Sequence, residues 1–350
     1  MKRLSSKIII GQFNSDGSTG ENPLQIDFVT DINIESTWEN LTDSGSLVIP
    51  RKVIWRNKPI VNGANSIFKR GQSIYIYLGY DGDFKIVFSG FISDVSVKNP
   101  VEIFFEDEMW VLKQRIIENK SWRQVSLSEL MKYLMKGTQM PYRLLGDVNL
   151  TTSEASIKEH SRSKLYKEPY MPQFSINNAT VAQVLESLKK DYGIYAFMRY
   201  GTLYVGLPYV PSLREEAKFK FGVNIISDNL IYRKIDDVKL KVRAISIDAF
   251  NKRITKDVGD PQGDIRTLHF YGLNEADLIR AAETELDRLK YEGFVGDFES
   301  FGEPLVNHGD GVVFIHPKLP ESTGTYLVKK VTRYFGIRGY RQNIELGAKI

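Results

Sequence analysis

The chain has 350 residues, of which 42% are hydrophobic and 26% charged, a composition typical of folded globular proteins. Its 47 basic and 43 acidic residues leave a net charge of +4, and both signs are mixed along the sequence. Binding to nucleic acid through charge alone is therefore poorly supported. Zero cysteine excludes disulfides, thiol nucleophiles and thiolate metal ligands. At this length we expect two or three packed modules instead of one core.

The N-terminus carries no pattern of a secretory signal, because the apolar run Ile8 to Ile10 is followed at once by polar residues. Other apolar runs, such as 194–198, are far shorter than the roughly 20 residues that span a bilayer. We expect no stable insertion into a membrane.

Residues 1–104 have the pattern of a small antiparallel β-barrel. Short runs of β-favouring residues are separated by Gly, Asn, Asp and Pro, and the side chains of 74–78 alternate between two faces. An Asp-Gly pair within Tyr80-Asp81-Gly82-Asp83 predicts a tight hairpin.

Residues 105–222 change to helices alternating with strands, which predicts an α+β middle module. Ser126 with Glu129, and Thr180 with Gln183, have the spacing of helix N-terminal capping pairs. A first, short helix is predicted within 105–117. Its apolar residues recur at helical spacing and its acidic residues suit the N-terminus; they are Met109, Leu112 and Ile116, preceded by Glu106, Asp107 and Glu108.

Two further features of the middle module are predicted. The polar stretch 146–171 is an insertion or exposed loop. A strand hairpin turns at Tyr200-Gly201.

Residues 223–350 return to strands and predict a second barrel with an inserted helix at 274–292. Asn274 is the expected N-cap. The expected buried stripe consists of Ile279, Ala282, Leu286 and Leu289. The whole chain is thus predicted to be β-rich α+β, with two small antiparallel tube-like barrels around an α+β module.

The four histidines are the main candidates for metal ligands, but none has the H-x-x-x-H or H-E-x-x-H spacing of a zinc site. They are His160, His269, His308 and His316. The run His308-Gly309-Asp310-Gly311 could bring a His and an Asp together, yet a polar turn between strands explains it better. The spacing of Asp257, Asp260 and Asp264 does not match a calcium loop, and a turn at 259–263 is the better interpretation.

No nucleophile elbow, P-loop or dinucleotide motif is present. The carboxylates at 106–108 are interpreted as charge at a helix N-terminus, not as a glycosidase pair. The basic and aromatic residues at 333–335 and 338–341 are interpreted as strand faces, not as a nucleic-acid surface. We therefore predict no catalytic residue, no metal site and no cofactor, and no enzymatic activity.

Several stretches resemble the phage tail-hub family when taken in order. They are 88–95 (FSGFISDV), 105–113 (FEDEMWVLK), the helix and hairpin of 180–206, 295–314 (VGDFESFGEPLVNHGDGVVF), 324–328 (GTYLV) and 339–347 (GYRQNIELG). This family includes baseplate hub proteins of contractile-tailed phages, the late control protein D group and the N-terminal part of VgrG spikes. The stretches 146–171 and 210–224 have no match.

The resemblance implies a homotrimer whose two barrels per subunit form a pseudo-sixfold ring between the tail tube and a central spike. The implied partners are the tail tube protein, a separate spike protein, and other baseplate and tape-measure proteins. DNA would pass through the channel without sequence-specific binding. The implied location is the tail baseplate of a virion that penetrates a bacterial cell, with synthesis in the host cytoplasm. Because the chain ends directly after its last strand, the spike is expected on a separate protein.

Two alternatives remain open at this point. One is a tail-associated cell-wall hydrolase whose carboxylates meet in a cleft that sequence spacing does not reveal. The other is a tail-tip carbohydrate-binding module, since the chain has 18 Tyr and 4 Trp.

Overall fold

The computed structural model describes the greater part of the chain. The described residues are 3–11, 23–49, 54–55, 58–59, 67–96, 100–145, 170–206, 216–248, 250–315 and 323–349. His160, His316 and most of the predicted insertion at 146–171 lie outside them. Within these ranges no helix is both long and apolar enough to cross a bilayer.

The first module consists of strands. They are β1 Leu4–Ile10, β2 Leu24–Ile26, β3 Asp31–Thr37, β4 Ser44–Ile49, β5 Ile54–Trp55, β6 Lys58–Pro59, β7 Ser73–Tyr80, β8 Asp83–Val95 and β9 Val101–Glu106. The predicted hairpin is confirmed. Strands β7 and β8 turn at Asp81 and Gly82, whose φ values of 53° and 86° match the twist of a two-residue hairpin. A β-bulge then places both Val87 and Phe88 in the interior.

In its described residues the middle module combines short strands with three helices. These are α1 Met109–Gln114, β10 Lys120–Ser121, β11 Gln124–Ser126, α2 Leu127–Leu134, β12 Tyr142–Leu145, β13 Tyr170–Pro172, β14 Ser175–Ile176, α3 Val181–Tyr192, β15 Tyr195–Arg199 and β16 Thr202–Gly206. Both predicted caps are confirmed. The Ser126 hydroxyl accepts the Glu129 N–H, and Thr180 and Gln183 exchange hydrogen bonds in both directions.

The first helix is shorter than predicted. Residues 105–106 belong to β9, so the expected boundary after residue 104 falls inside a strand. Ile116 was expected on the buried face but lies beyond α1 and is 69% exposed. The reason is local, because the backbone becomes extended at Arg115 and Ile117 takes the buried position.

The third module contains the remaining strands and the last helix. They are β17 Glu216–Lys220, β18 Ile225–Asp228, β19 Ile231–Arg233, β20 Leu240–Ile247, β21 Arg253–Gly259, β22 Asp264–Tyr271, α4 Glu275–Leu289, β23 Gly293–Val295, β24 Asp297–Phe301, β25 Gly311–Ile315, β26 Gly324–Gly336 and β27 Gly339–Lys349. The Asn274 side chain accepts the Asp277 N–H, which confirms the predicted cap.

The buried stripe of α4 is shifted from the predicted one. Leu278 is fully buried where Ile279 was expected, and Ala282 and Leu286 are buried as predicted. The helix packs on the separate sheet β21-β20-β22, with which it forms a hydrophobic core of its own. In that sheet β20 and β22 are parallel, and so are β17 and β25, so the strands of the third module are not uniformly antiparallel as expected. The pair β12-β16 of the middle module is also parallel.

One sheet of 13 strands runs through the first and third modules. Its hydrogen-bonded path is β18-β24-β27-β26-β3-β4-β9-β8-β7-β1-β2, with β25 and β17 attached beside β26. The modules meet where β26 pairs antiparallel with β3, and Phe335 and Tyr340 of the third module pack into the first module's core. The predicted β-rich fold is confirmed, while closure of two separate barrels stays a prediction.

Candidate functional site

A cavity of about 330 Å³ lies where the three modules meet, and we call it the junction cavity. Its polar lining comes from seven separate chain segments, which the large sheet and the β15-β16 hairpin bring together. The polar residues of the lining are Ser36, Asp43, Ser89, Asp107, Glu108, Arg199, Tyr200, Asn307, His308 and Arg333.

The loop 302–310, which we call the junction loop, joins β24 to β25 and carries the third module's share of this lining. Two buried side chains, Arg333 on β26 and Gln342 on β27, hold this loop in place. They are paired across the two strands. The Gln342 amide donates to the carbonyl oxygens of Phe301 and Pro304, at 3.0 and 2.6 Å. The Arg333 guanidinium donates to the Val306 carbonyl and, at 2.6 Å, to the Asn307 side chain. Side chains at inward positions of β26 and β27 therefore fix the conformation of the junction loop.

A buried ion pair connects the junction loop to the middle module. Arg199, at the end of β15, pairs with Asp310, and the two side chains are only 6% and 3% exposed. The second carboxylate oxygen of Asp310 accepts the Asn307 N–H at 2.8 Å, and the Asn307 amide donates to the Tyr200 hydroxyl at 2.7 Å. The predicted hairpin turn at Tyr200-Gly201 is confirmed, with positive φ at both residues.

His308 connects the same loop to the first module. Its Nε2 lies 3.6 Å from a carboxylate oxygen of Asp43, and its ring packs edge-on against Phe197 at 5.1 Å between centroids. Asp43 is fixed by the Ser36 hydroxyl and by the Thr37 N–H, the latter at 2.9 Å. The His308 Nδ1 is buried and has no hydrogen-bond partner. The His308 side chain thus lies between the three modules, and its Nδ1 is left without a hydrogen-bond partner.

Asp107 and Glu108 contribute carboxyl groups from the short segment between β9 and α1. Asp107 is buried, and its two oxygens accept the N–H groups of Met109 and Asp43 at 2.9 and 2.8 Å. Burial, followed by repulsion from Asp43, holds the pKa of Asp107 well above its usual range. Burial also raises the pKa of Glu108, whose carboxylate accepts the Ser89 hydroxyl. Because Asp107 is committed to the backbone, Glu108 is the more available acid.

The sequence-based interpretations of these acidic residues are partly confirmed. Asp107 does bind the first N–H of α1, as expected for charge at a helix N-terminus. Glu108, however, makes no capping hydrogen bond, and Glu106 pairs with Lys113 at 2.7 Å instead.

The turn interpretations of the remaining candidates are confirmed. The run 308–311 forms a turn, closed by the Asp310 N–H on the Asn307 carbonyl at 3.1 Å. A turn also joins β21 to β22, where the Gly263 N–H donates to the Asp260 carbonyl at 3.0 Å. His269 lies on β22, away from the junction cavity. Among the described residues no group of three His or acidic side chains could hold a metal ion.

Residues 333–335 lie on β26 and 339–341 on β27, as predicted, whereas Arg338 lies in the turn between the two strands. Arg333 is 1% exposed, so it is unavailable for stacking on a nucleic acid. Tyr271, Tyr326 and Tyr340 are buried in hydrophobic cores or against them, which supports packing as the role of these tyrosines. Burial raises the pKa of Tyr340 to about 12.

Sequence reasoning did not identify Asp43, Arg199 or Arg333 as site residues. Arg199 and Asp310 are 111 positions apart, and nothing in either local pattern signals the pairing. One signal was available for Arg333. A basic residue at an inward position of a strand is unusual unless it has a buried partner.

Comparison with known proteins gives similarity in structure alone, since no family model and no curated protein sequence matches the chain. A tail protein from Neisseria meningitidis aligns with a TM-score of 0.60 at 16% identity, over 99% of this chain and 97% of that one. The 43 kDa tail protein of prophage MuSo2 from Shewanella oneidensis aligns with a TM-score of 0.57 at 15% identity, over 97% of both chains.

A third similar structure is an E. coli component of the type VI secretion system, described as structurally similar to the T4 bacteriophage tail proteins gp27 and gp5. It aligns with a TM-score of 0.52 at 11% identity, over 91% of this chain and 73% of that one. The chain therefore has the fold of phage tail proteins and of this secretion component, which confirms at the level of fold the resemblance found in the sequence.

Proposed function

We propose that this chain is a structural hub protein of a phage tail or a related injection machine. The observation that carries the proposal is the end-to-end likeness to a tail protein, 99% of one chain against 97% of the other. Such coverage includes all three modules and their order, so the likeness is not that of one common domain. Fold alone does not fix function, and the assembly therefore needs its own test.

In the proposed assembly, three copies form a pseudo-sixfold ring from the first and third modules, each acting as a tube-like barrel. The ring joins the tail tube to a separate spike protein and surrounds a channel for DNA or tape-measure protein. A continuous sheet through both modules supports this role, because it makes the two ring-forming parts of a subunit one stiff unit. Closed cyclic symmetry would satisfy head-to-tail contacts without an open filament.

The buried polar contacts around the junction cavity give the middle module a mechanical role in the same proposal. Arg199 and Asp310 fix the middle hairpin to the third module, while His308 lies against the first. These contacts would hold the three modules of a hub together when force passes through it during injection. The protein would reside in the tail baseplate after synthesis in the host cytoplasm, and DNA would pass through its channel without sequence-specific binding.

Electron microscopy of the purified protein, alone and with its spike partner, tests the proposal. We expect end-on views to show a ring with a central opening. The ring should have nearly sixfold features, and averaging with threefold symmetry should retain them. Isolated single-subunit particles at every concentration would contradict it.

A cell-wall hydrolase is the second candidate, because Glu108 combines a raised pKa with a position in the junction cavity, as a general acid requires. Its neighbour Asp107 is bound to two backbone N–H groups, which argues against a free second carboxylate. A zymogram on peptidoglycan separates the candidates. A blank gel is expected for the hub, whereas clearing that disappears in a Glu108→Gln variant would establish the enzyme.

A further inference from the structure

The junction cavity has an excess of negative charge that its own cations do not neutralise. Asp43 of the first module lines it together with Asp107 and Glu108, which lie between β9 and α1. Of the two arginines of the lining, Arg199 pairs with the buried Asp310, whereas Arg333 holds the junction loop through neutral acceptors and also acts electrostatically on Asp43. Burial, with added repulsion from Asp43, raises the pKa values of both Asp107 and Glu108.

His308 adds an unused hydrogen-bond acceptor to this lining. Its Nε2 faces the Asp43 carboxylate at 3.6 Å, so Nδ1 is the ring nitrogen that is open to a ligand. The side chain is 1% exposed, and Nδ1 has no partner. A buried acceptor without a donor is costly, so this position favours a ligand that brings N–H groups.

The mouth and walls of the cavity suit an aliphatic chain that carries such a group. Phe88 and Met198 form apolar walls. Tyr75, Ile86 and Tyr200 lie at the mouth, where they are 40%, 42% and 62% exposed. Aromatic faces near an opening attract cations, and the volume of about 330 Å³ is within the range of small-molecule sites.

We infer that the junction cavity binds an organic cation, an ammonium or guanidinium group on an aliphatic chain, with Glu108 and Asp43 as counter-ions and His308 as a further acceptor. The cation can come from a free amine or from a Lys or Arg side chain that a partner protein inserts. A small anion is disfavoured, because it would meet three carboxyl groups. This inference goes beyond the proposed tail role, and either can fail without the other.

Isothermal titration of the full-length protein with agmatine, at about pH 8, tests the inference. We expect saturable binding of one agmatine per chain and none of pentanol, which is a neutral chain of similar length. Glu108→Gln should weaken agmatine binding roughly tenfold, because it removes a charge but can still accept the Ser89 hydroxyl. Glu102→Gln, on β9 outside the lining, is the matched control and should bind like the wild type.

Two further measurements keep the test independent of folding. Tyr200→Leu at the exposed mouth should also weaken agmatine binding, and circular dichroism checks that each variant melts as a folded protein. The affinities of agmatine and of a blocked Ala-Arg-Ala peptide distinguish the two sources of the cation. Tighter binding of the peptide assigns the site to a partner's side chain, and tighter binding of agmatine assigns it to a free amine. Equal binding of pentanol, binding of inorganic phosphate instead of agmatine, or no loss in Glu108→Gln would overturn the inference.

Discussion

Replacing Asp310 with asparagine should destabilise the protein by about 3–5 kcal/mol, the range for removing one partner of a buried ion pair. Asparagine keeps the size of the side chain and can still accept the Asn307 N–H, so the loss reports the charge. It removes the carboxylate charge that pairs with the Arg199 guanidinium, which is 6% exposed. Adding Arg199→Met to the same chain should recover part of the loss, because no unpaired charge then remains buried.

Urea unfolding, followed by circular dichroism, measures this change in the free energy of unfolding. Asp257→Asn is the matched control, since the Arg243–Asp257 pair has good geometry at 2.9 Å but lies on the surface. Its loss should be far smaller than that of Asp310→Asn. A loss below about 1 kcal/mol for Asp310→Asn, the level of exposed pairs, would refute the view that this contact fixes the middle module to the third.

Three further changes test the local geometry. Burial raises the pKa of Glu108 above the ordinary 4.5, so the folded wild type should lose stability relative to Glu108→Gln as the pH rises through that raised pKa. Urea unfolding midpoints of both proteins, measured from about pH 4 to pH 8, test this, and parallel curves would contradict it. Gly193→Ala should lower the melting temperature, because Gly193 has φ of 65° and a Cβ there would overlap His269; an unchanged melting temperature argues against this close approach. Thr180→Ala should cost about 1 kcal/mol in urea unfolding through loss of the capping box, and Thr180→Ser should retain most of it.

The sequence predicted those parts of the fold that depend on neighbouring residues. The turn at Asp81-Gly82 and the cap at Thr180 follow from local backbone preferences, and both are present. Positions near element ends were less predictable. Ile116 had helical spacing, but the chain becomes extended one residue earlier, and the extended stretch buries Ile117 instead.

The junction cavity could not be predicted, because its residues meet only through tertiary structure. The sequence placed Asp107 and Glu108 at a helix start and His308 in a turn, and both placements are confirmed. Neither pattern indicates that the two segments line one cavity. That depends on β26 pairing with β3, a long-range contact that period-two alternation cannot specify.

The mass of the purified protein in solution tests the hub assembly most directly. Light scattering behind a sizing column, with and without the spike partner, should give three times the 40.0 kDa mass of the chain, with one spike assembly per three copies where the spike is present. A particle that stays at the mass of a single chain under both conditions would contradict the proposed ring.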